Sequence, residues 1–239
     1  MYDDDMSKFR DIEKIPSGIK GFDDLLSGGF PKGGLILVAG GAGAGKTALS
    51  TQFLYNGATK YGDKGVYAPF SESRETFNRY AASLGFDFGP LEKEGKITVV
   101  DNLTTSIKEG VEPTLKRIIN SVSKIGAERL VIDSLATMTV GMDETVEIRT
   151  IIHLLRKSLR EVGCTTLLIT ETPHGEKRLG TGMEEFIADG IVVLEQFLKG
   201  DELKRQLYIL KMRGVGHSMK AVRFTVGRGG ITVLPPIEK

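Results

Sequence analysis

Cysteine is nearly missing from this sequence. Cys164 is the single thiol among 239 residues, so no intrachain disulfide can form. It stands just before the apolar run Leu167-Leu168-Ile169 and is expected to be a small core or strand-edge residue. An excess of charge of one sign is missing too. A net charge of +1 gives no global attraction to nucleic acid or to an anionic membrane, although that sum is compatible with a local basic patch. No apolar stretch approaches the roughly 20 residues of a membrane span. The polar segment 1–10 opens on Asp3-Asp4-Asp5 and holds no apolar core of a secretory signal, which makes the cytoplasm the expected address. Internal repeats, linkers and low-complexity stretches are also absent. With 40% hydrophobic and 26% charged residues, the composition suits one globular domain with a sizeable core. That domain is expected over residues 12–239, behind a flexible tail at 1–11.

What is present is alternation. Apolar runs at 35–39, 66–68, 97–100, 130–133, 166–170 and 191–195 predict buried strands. Helical patterns fall between them at 47–60, 75–84, 113–125 and 144–162. Pro113 suits a first helical turn. Ile148, Ile151, Ile152, Leu155, Leu159 and Val162 keep helical spacing in the longest helix. Beyond residue 200 the pattern changes. The short runs 206–212, 221–226 and 231–234 are joined by Gly-rich turns with no room for crossover helices, so they predict antiparallel strands. The fold class that follows is α/β: a three-layer domain with a mainly parallel central sheet and an antiparallel C-terminal edge.

Between the first of these strands and its helix stands Gly40-Gly41-Ala42-Gly43-Ala44-Gly45-Lys46-Thr47, followed by Ala48. It fits G-x-x-x-x-G-K-[ST] at every fixed position and in the strand-to-helix context the motif requires. Small residues let backbone N–H groups wrap phosphates, and the helix aims its positive end at them. Lys46 would reach the β- and γ-phosphates, and the Thr47 hydroxyl would ligate magnesium. The plain alternative is a Gly-rich turn with a chance Gly-Lys-Thr. A second metal-side group is Asp133, an acid ending the apolar run Leu130-Val131-Ile132, on the edge where parallel sheets bind ligands. The other reading of Asp133 is a helix N-cap.

Three further segments carry a resemblance. They are Ile15-Pro16-Ser17-Gly18-Ile19-Lys20-Gly21-Phe22-Asp23-Asp24-Leu25-Leu26-Ser27-Gly28-Gly29-Phe30-Pro31-Lys32-Gly33-Gly34, Met183-Glu184-Glu185-Phe186-Ile187-Ala188-Asp189 and Lys211-Met212-Arg213-Gly214-Val215-Gly216-His217. With the phosphate loop they make residues 15–234 resemble single-domain KaiC-like proteins of the RecA superfamily. The resemblance implies a RecA-like P-loop NTPase core, ATP and ADP with Mg2+ as ligands, ATP hydrolysis, and a homo-oligomeric ring, usually a hexamer, acting as a nucleotide-dependent switch on a protein partner. In that family one or two glutamates after the second core strand activate water, usually in a Thr-Phe-Glu-Glu tetrad. Here the tetrad reads Pro69-Phe70-Ser71-Glu72, so Glu72 is the candidate base and Ser71 replaces the first acid, which makes slow turnover the expectation. The competing reading of Glu72 is a favourable acid at the next helix start. Lys211, Met212, Arg213 and His217 match family positions that reach a neighbouring subunit's nucleotide, with Lys211 and Arg213 in catalysis; read without the family, they are a solvated basic strand end. Ser83 matches a serine near the nucleotide, or is an ordinary exposed helix serine. Glu171 matches the strand end that senses the γ-phosphate, or is a loop acid.

Three other functions stay open on the sequence. A recombinase-like action on single-stranded nucleic acid is not favoured. Loop 135–143 carries no Lys, Arg or aromatic residue, and loop 172–182 is only mildly basic. Self-phosphorylation at the positions that carry Ser and Thr in phosphorylating KaiC domains is disfavoured, because Glu185 and Phe186 stand there without hydroxyls. The last is a nucleotide-binding scaffold without turnover, which Ser71 alone supports.

Overall fold

A computed structural model of the chain describes residues 12–101, 103, 111–138, 145–172 and 187–235. Its strands are β1 (Lys14–Ile15), β2 (Phe30–Pro31), β3 (Leu35–Gly40), β4 (Gly65–Pro69), β5 (Ile97–Val99), β6 (Arg129–Asp133), β7 (Thr165–Glu171), β8 (Gly190–Lys199), β9 (Glu202–Met212), β10 (Val222–Gly227) and β11 (Gly230–Val233). Its helices are α1 (Lys46–Asn56), α2 (Arg74–Ser83), α3 (Gly89–Lys93), α4 (Glu112–Ile125), α5 (Leu135–Met138) and α6 (Thr145–Glu161). The segments 1–11, 139–144 and 173–186, which include the expected tail, most of both expected central loops and Met183–Phe186, lie outside the described residues.

Among the described residues nine strands make the main sheet, in the order β11-β10-β9-β8-β3-β7-β6-β4-β5. The six from β8 to β5 run parallel; β9, β10 and β11 add antiparallel. Each face carries its own core. Leu49, Phe53, Phe77, Ala81 and Leu91 from α1, α2 and α3 pack on one side with Val38, Tyr67 and Val131 of the sheet. Leu115, Ile118, Val122, Ile148, Ile152, Leu155 and Leu159 from α4 and α6 pack on the other with Leu37, Val66 and Ile132. The strands read as continuous apolar runs because both faces are covered. The three-layer arrangement is therefore the one the alternation implies.

Local signals set the helix ends. The Ser73 side chain caps α2 by accepting from Thr76 N at 3.2 Å. Pro113 lies in the first turn of α4, which stops at the left-handed Gly126. The helix expected over 47–60 is α-helical only to Asn56; a π-helical turn, Gly57–Tyr61, completes it. Arg129 packs against this turn. Its side chain is fully buried, donates from Nε to Asp63 at 2.8 Å and from Nη1 to the Phe53 carbonyl at 2.9 Å, and lies over the Phe53 ring. A side chain at residue 57 would occupy the guanidinium's space, with a Cβ only 2.4 Å from Nε, so glycine is required there. Replacing Asp63 by alanine leaves that buried cation without its carboxylate. It is expected to lower stability by about 3 kcal/mol, read as a lower denaturant midpoint; an unchanged midpoint would show that the pair does not hold this corner.

The segment 15–34 turns out to be a buttress. Asp23 accepts from Ser17 N (2.7 Å), Ser17 Oγ (2.6 Å) and Gly18 N (2.9 Å), and the Ser17 carbonyl accepts from Asn56 Nδ2 at 3.3 Å. This ties the segment to the far end of α1.

Candidate functional site

The parallel strands bring their C-terminal ends to one edge. Gly40, Pro69, Asp133 and Glu171 end β3, β4, β6 and β7 there. From Gly40 the chain turns through residues 41–45 into α1. Gly43 and Gly45 adopt φ of +73° and +108°, left-handed values that glycine reaches without strain and that let the chain turn tightly into α1. Gly43, Ala44, Gly45, Lys46, Thr47 and Ala48 line an open cavity of about 200 Å3 together with Arg205 and Val226. The α1 N-terminus faces it, the arrangement that attracts phosphate. Lys46 Nζ donates to the carbonyls of Gly40 (2.6 Å) and Gly41 (2.9 Å). Burial pulls the pKa of this ammonium down, while the charges of Glu171 and Asp133 push it up. A phosphate in the cradle would offset that desolvation.

Below the cradle stands Asp133. Its Oδ2 accepts from Thr47 Oγ1 at 3.2 Å and from the Tyr67 hydroxyl at 3.0 Å. Burial raises its pKa; the hydrogen bonds from Tyr67 and Thr47 and the Lys46 charge oppose that. Among the described residues no three His, Cys, Asp or Glu side chains gather as a metal cage. The pair Thr47 and Asp133 fits a magnesium ion that takes its remaining ligands from phosphates and water, the usual manner of that ion.

Glu72 follows closely. The Asp133 carbonyl accepts from Phe70 N at 2.8 Å, which pins the end of β4 to the end of β6. Glu72 Oε2 is buried and has no hydrogen-bond partner among the described residues. Burial, then the Asp133 charge, raises its pKa. An unpartnered buried carboxylate oxygen is costly and marks a place for a donor such as water. Ser71, where the resemblance expects the first glutamate, joins a chain of hydroxyls: its Oγ is 2.9 Å from Thr137 Oγ1, which is 3.3 Å from Ser134 Oγ.

Several residues at this edge were not singled out by sequence. Tyr67 reaches Asp133 from β4. Arg205 Nε and Gln196 Nε2 donate to the Gly43 carbonyl at 3.2 and 2.8 Å. The β8–β9 register that sets Gln196 opposite Arg205 lies in a hairpin longer than its apolar signal. Thr172 N donates to the Gly40 carbonyl at 3.2 Å, and its buried Oγ1 has no partner among the described residues.

Most of the other expected residues lie elsewhere. Gly40 is level with Leu194, and Leu194 with Leu207, whereas Ile36 is level with Gly190 and Gly190 with Met212. Lys211 and Met212 therefore sit towards the opposite end of the sheet from this chain's own cradle, about 10 to 13 Å away along the strands, with Arg213 just beyond them and His217 beside Leu25 and Ser27, to which its neighbours Ser218 and Gly216 hydrogen-bond. Lys211 Nζ donates to the Ala188 carbonyl at 2.8 Å. Arg213, just past the end of β9, lies 3.9 Å from Asp189, which also binds Arg156 at 2.6 Å. The Met212 side chain is buried in the core. His217 Nδ1 lies 3.2 Å from the Ser218 carbonyl. Ser83 is exposed and returns its hydroxyl to the Tyr80 carbonyl of its own helix at 2.7 Å. Glu171 is exposed at the cradle edge.

The family model described as "ATPase: KaiC" matches residues 15–238. The circadian clock oscillator protein KaiC of Parathermosynechococcus lividus is 33% identical over 240 residues, covering 97% of this chain and 44% of its own length. KaiC2 of Synechocystis is 33% identical over 239 residues, covering 97% of this chain and 42% of its own. The chain thus spans less than half the length of these relatives. A crystal structure of a KaiC-like protein from Pyrococcus horikoshii superposes with a TM-score of 0.85 at 43% identity, covering 94% of this chain and all of that one.

Proposed function

The chain belongs to the KaiC ATPase family, and from that premise we propose that it binds ATP with magnesium over residues 41–48 and hydrolyses it slowly, in an assembly of identical subunits. The observation that carries this reading is the convergence of Thr47 Oγ1 on Asp133 at 3.2 Å below the cradle, with the unpartnered oxygen of Glu72 alongside. When bound, magnesium supplies positive charge to the β- and γ-phosphates. Thr47 and Asp133 would hold it. Lys46 and the amides of 41–47 bind and orient the phosphates, and Arg205 adds a cation on the side of the cavity towards β10. Glu72 accepts the proton of the attacking water. With Ser71 beside it in place of a second carboxylate, turnover is slow.

Lys211 and Arg213 act on the nucleotide of the next subunit. Their place at the far end of the sheet supports this, since they are out of reach of their own chain's cradle. A cation supplied across an interface stabilises charge developing on the transferred phosphoryl group and makes hydrolysis depend on assembly. The family resemblance favours a hexamer, in which ATP and ADP states would differ in shape and act on a protein partner.

Phosphate release from mixed subunits tests the reading. Lys46→Ala and Arg213→Ala are each expected to be inactive alone. Mixed in equal amounts, about a quarter of head-to-tail interfaces pair an intact cradle with an intact Arg213, and activity should return in that proportion. Mixtures as inactive as their parents would sink the action across subunits. Magnesium-dependent phosphate release no faster from wild type than from Lys46→Ala would sink the enzyme itself.

A further inference from the structure

Tyr67 is fully buried in β4, one strand over from Asp133. In the β4–β6 register Tyr67 is opposite Val131 and Pro69 is opposite Asp133. Tyr67, Val131 and Asp133 share the sheet face that α1 covers, since side chains two apart on a strand point the same way. The phenol spans this two-residue offset, about 7 Å along the strand, and meets Asp133 Oδ2 at 3.0 Å. A shorter side chain would not reach, and phenylalanine would reach without a donor.

The ring has no freedom to leave. It stacks on Phe77 of α2 with centroids 3.9 Å apart and planes at 21°, and Phe77 is held edge-on by Phe88 at 5.0 Å. The phenol is thus aimed by packing, and the carboxylate it meets is aimed in turn. Both hydrogen bonds to the Asp133 side chain among the described residues, from Thr47 and from Tyr67, fall on Oδ2. Oδ1 is left to accept from water or metal.

We propose that Tyr67 is a positioning residue for the metal side of the nucleotide site: its hydroxyl holds Asp133 Oδ2 so that Oδ1 is presented to a hydrated divalent cation. This rests on the reading of Thr47 and Asp133 as the metal-holding pair. A carboxylate fixed by two donors keeps one orientation; with Thr47 alone it can rotate about its last bond. Partners of this kind, one step removed from the metal, commonly change metal affinity by about 10- to 100-fold. Because α2 begins just after Glu72, the stacked ring also places the metal-side acid and the candidate base on one rigid unit.

The test is Tyr67→Phe, which deletes one oxygen and keeps the ring stack. Mn2+ held by the protein with ADP is measured by electron paramagnetic resonance, and ADP affinity is measured separately with the metal chelated. The expected result is Mn2+ affinity about tenfold weaker with metal-free ADP affinity unchanged, and a hydrolysis rate that recovers as Mg2+ is raised. Unchanged Mn2+ affinity in Tyr67→Phe, with wild type binding normally, overturns the role of Tyr67 and leaves the site reading intact. Equal losses of Mn2+ and of metal-free ADP overturn it as well, because they mark a packing residue only. If wild type itself retains no Mn2+ with ADP, the metal-site reading fails and this inference falls with it.

Discussion

Lys46→Ala is expected to lower ATP hydrolysis by about 10²- to 10³-fold, the usual cost of deleting one preorganised donor from a charged transition state. The surroundings argue for the upper part of that range. The cradle edge holds Asp133, Glu171 and Glu72, and the first two already act on the Lys46 ammonium. A triphosphate brought among three acids needs a cation within its own subunit. Arg205 is the other one lining the cavity, and it is tied to the Gly43 carbonyl. Without the ammonium, the carbonyls of Gly40 and Gly41 keep only their backbone donors, Thr172 N and Ala44 N, and turn more of their negative charge towards the phosphates. Phosphate release at saturating ATP, together with calorimetric nucleotide affinity, reads both losses. Activity within a few-fold of wild type would mean the reacting nucleotide lies somewhere else.

Glu72→Gln should separate binding from chemistry. The amide keeps the shape and cannot take a proton, so turnover is expected to fall by about 10²- to 10⁴-fold while ATP affinity stays at the wild-type level. The pH dependence carries a sign. A base must be ionised to work, and burial together with the Asp133 charge raises the Glu72 pKa. The wild-type rate should therefore decline on the acid side at a pH above the ordinary glutamate value of about 4.3, and this limb should vanish in Glu72→Gln. Stability moves the other way. A raised carboxyl pKa means the folded state holds its proton more tightly than the unfolded chain, so ionised Glu72 weakens the fold once pH has risen through that pKa. Glu72→Gln is accordingly expected to melt higher than wild type near neutral pH and no higher in acid. A variant with full activity, or an acid limb shared by both proteins, would remove Glu72 from the mechanism.

The cradle could be read without a structure because its chemistry is local: glycines, a lysine and a hydroxyl at fixed spacing, between an apolar run and a helix. Asp133 was legible for a similar reason, as an acid where an apolar strand runs out. Tyr67 was not, because its meaning depends on which strand lies beside β4 and in which register. Arg205 was hidden in another way. The apolar signal of β8 stops near Glu195, yet the strand continues to Lys199, where the hairpin leaves the core and its residues become half-buried or exposed. The short elements β1, β2, α3 and α5 are below the length at which periodicity can be seen. Segment 15–34 was read for resemblance alone, and its hydrogen bonds to α1 give it a mechanical meaning. Lys211 and Arg213 were legible only through the resemblance, because the action proposed for them on another copy of the chain would leave no local signature.

Arg129 has a consequence beyond stability. It is the first residue of β6 and grips the last turns of α1, while Asp133, the last residue of β6, takes a hydrogen bond from Thr47 near the start of α1. Helix and strand run side by side, packed in the core between them and hydrogen-bonded at both ends, like the rails of a ladder whose top and bottom rungs are polar. The separation between the two groups expected to hold magnesium is therefore fixed by a braced frame of helix and strand. Loosening the lower rung, by changing Asp63 or widening Gly57, should let the upper rung drift and make itself felt in metal binding from the opposite end of the helix.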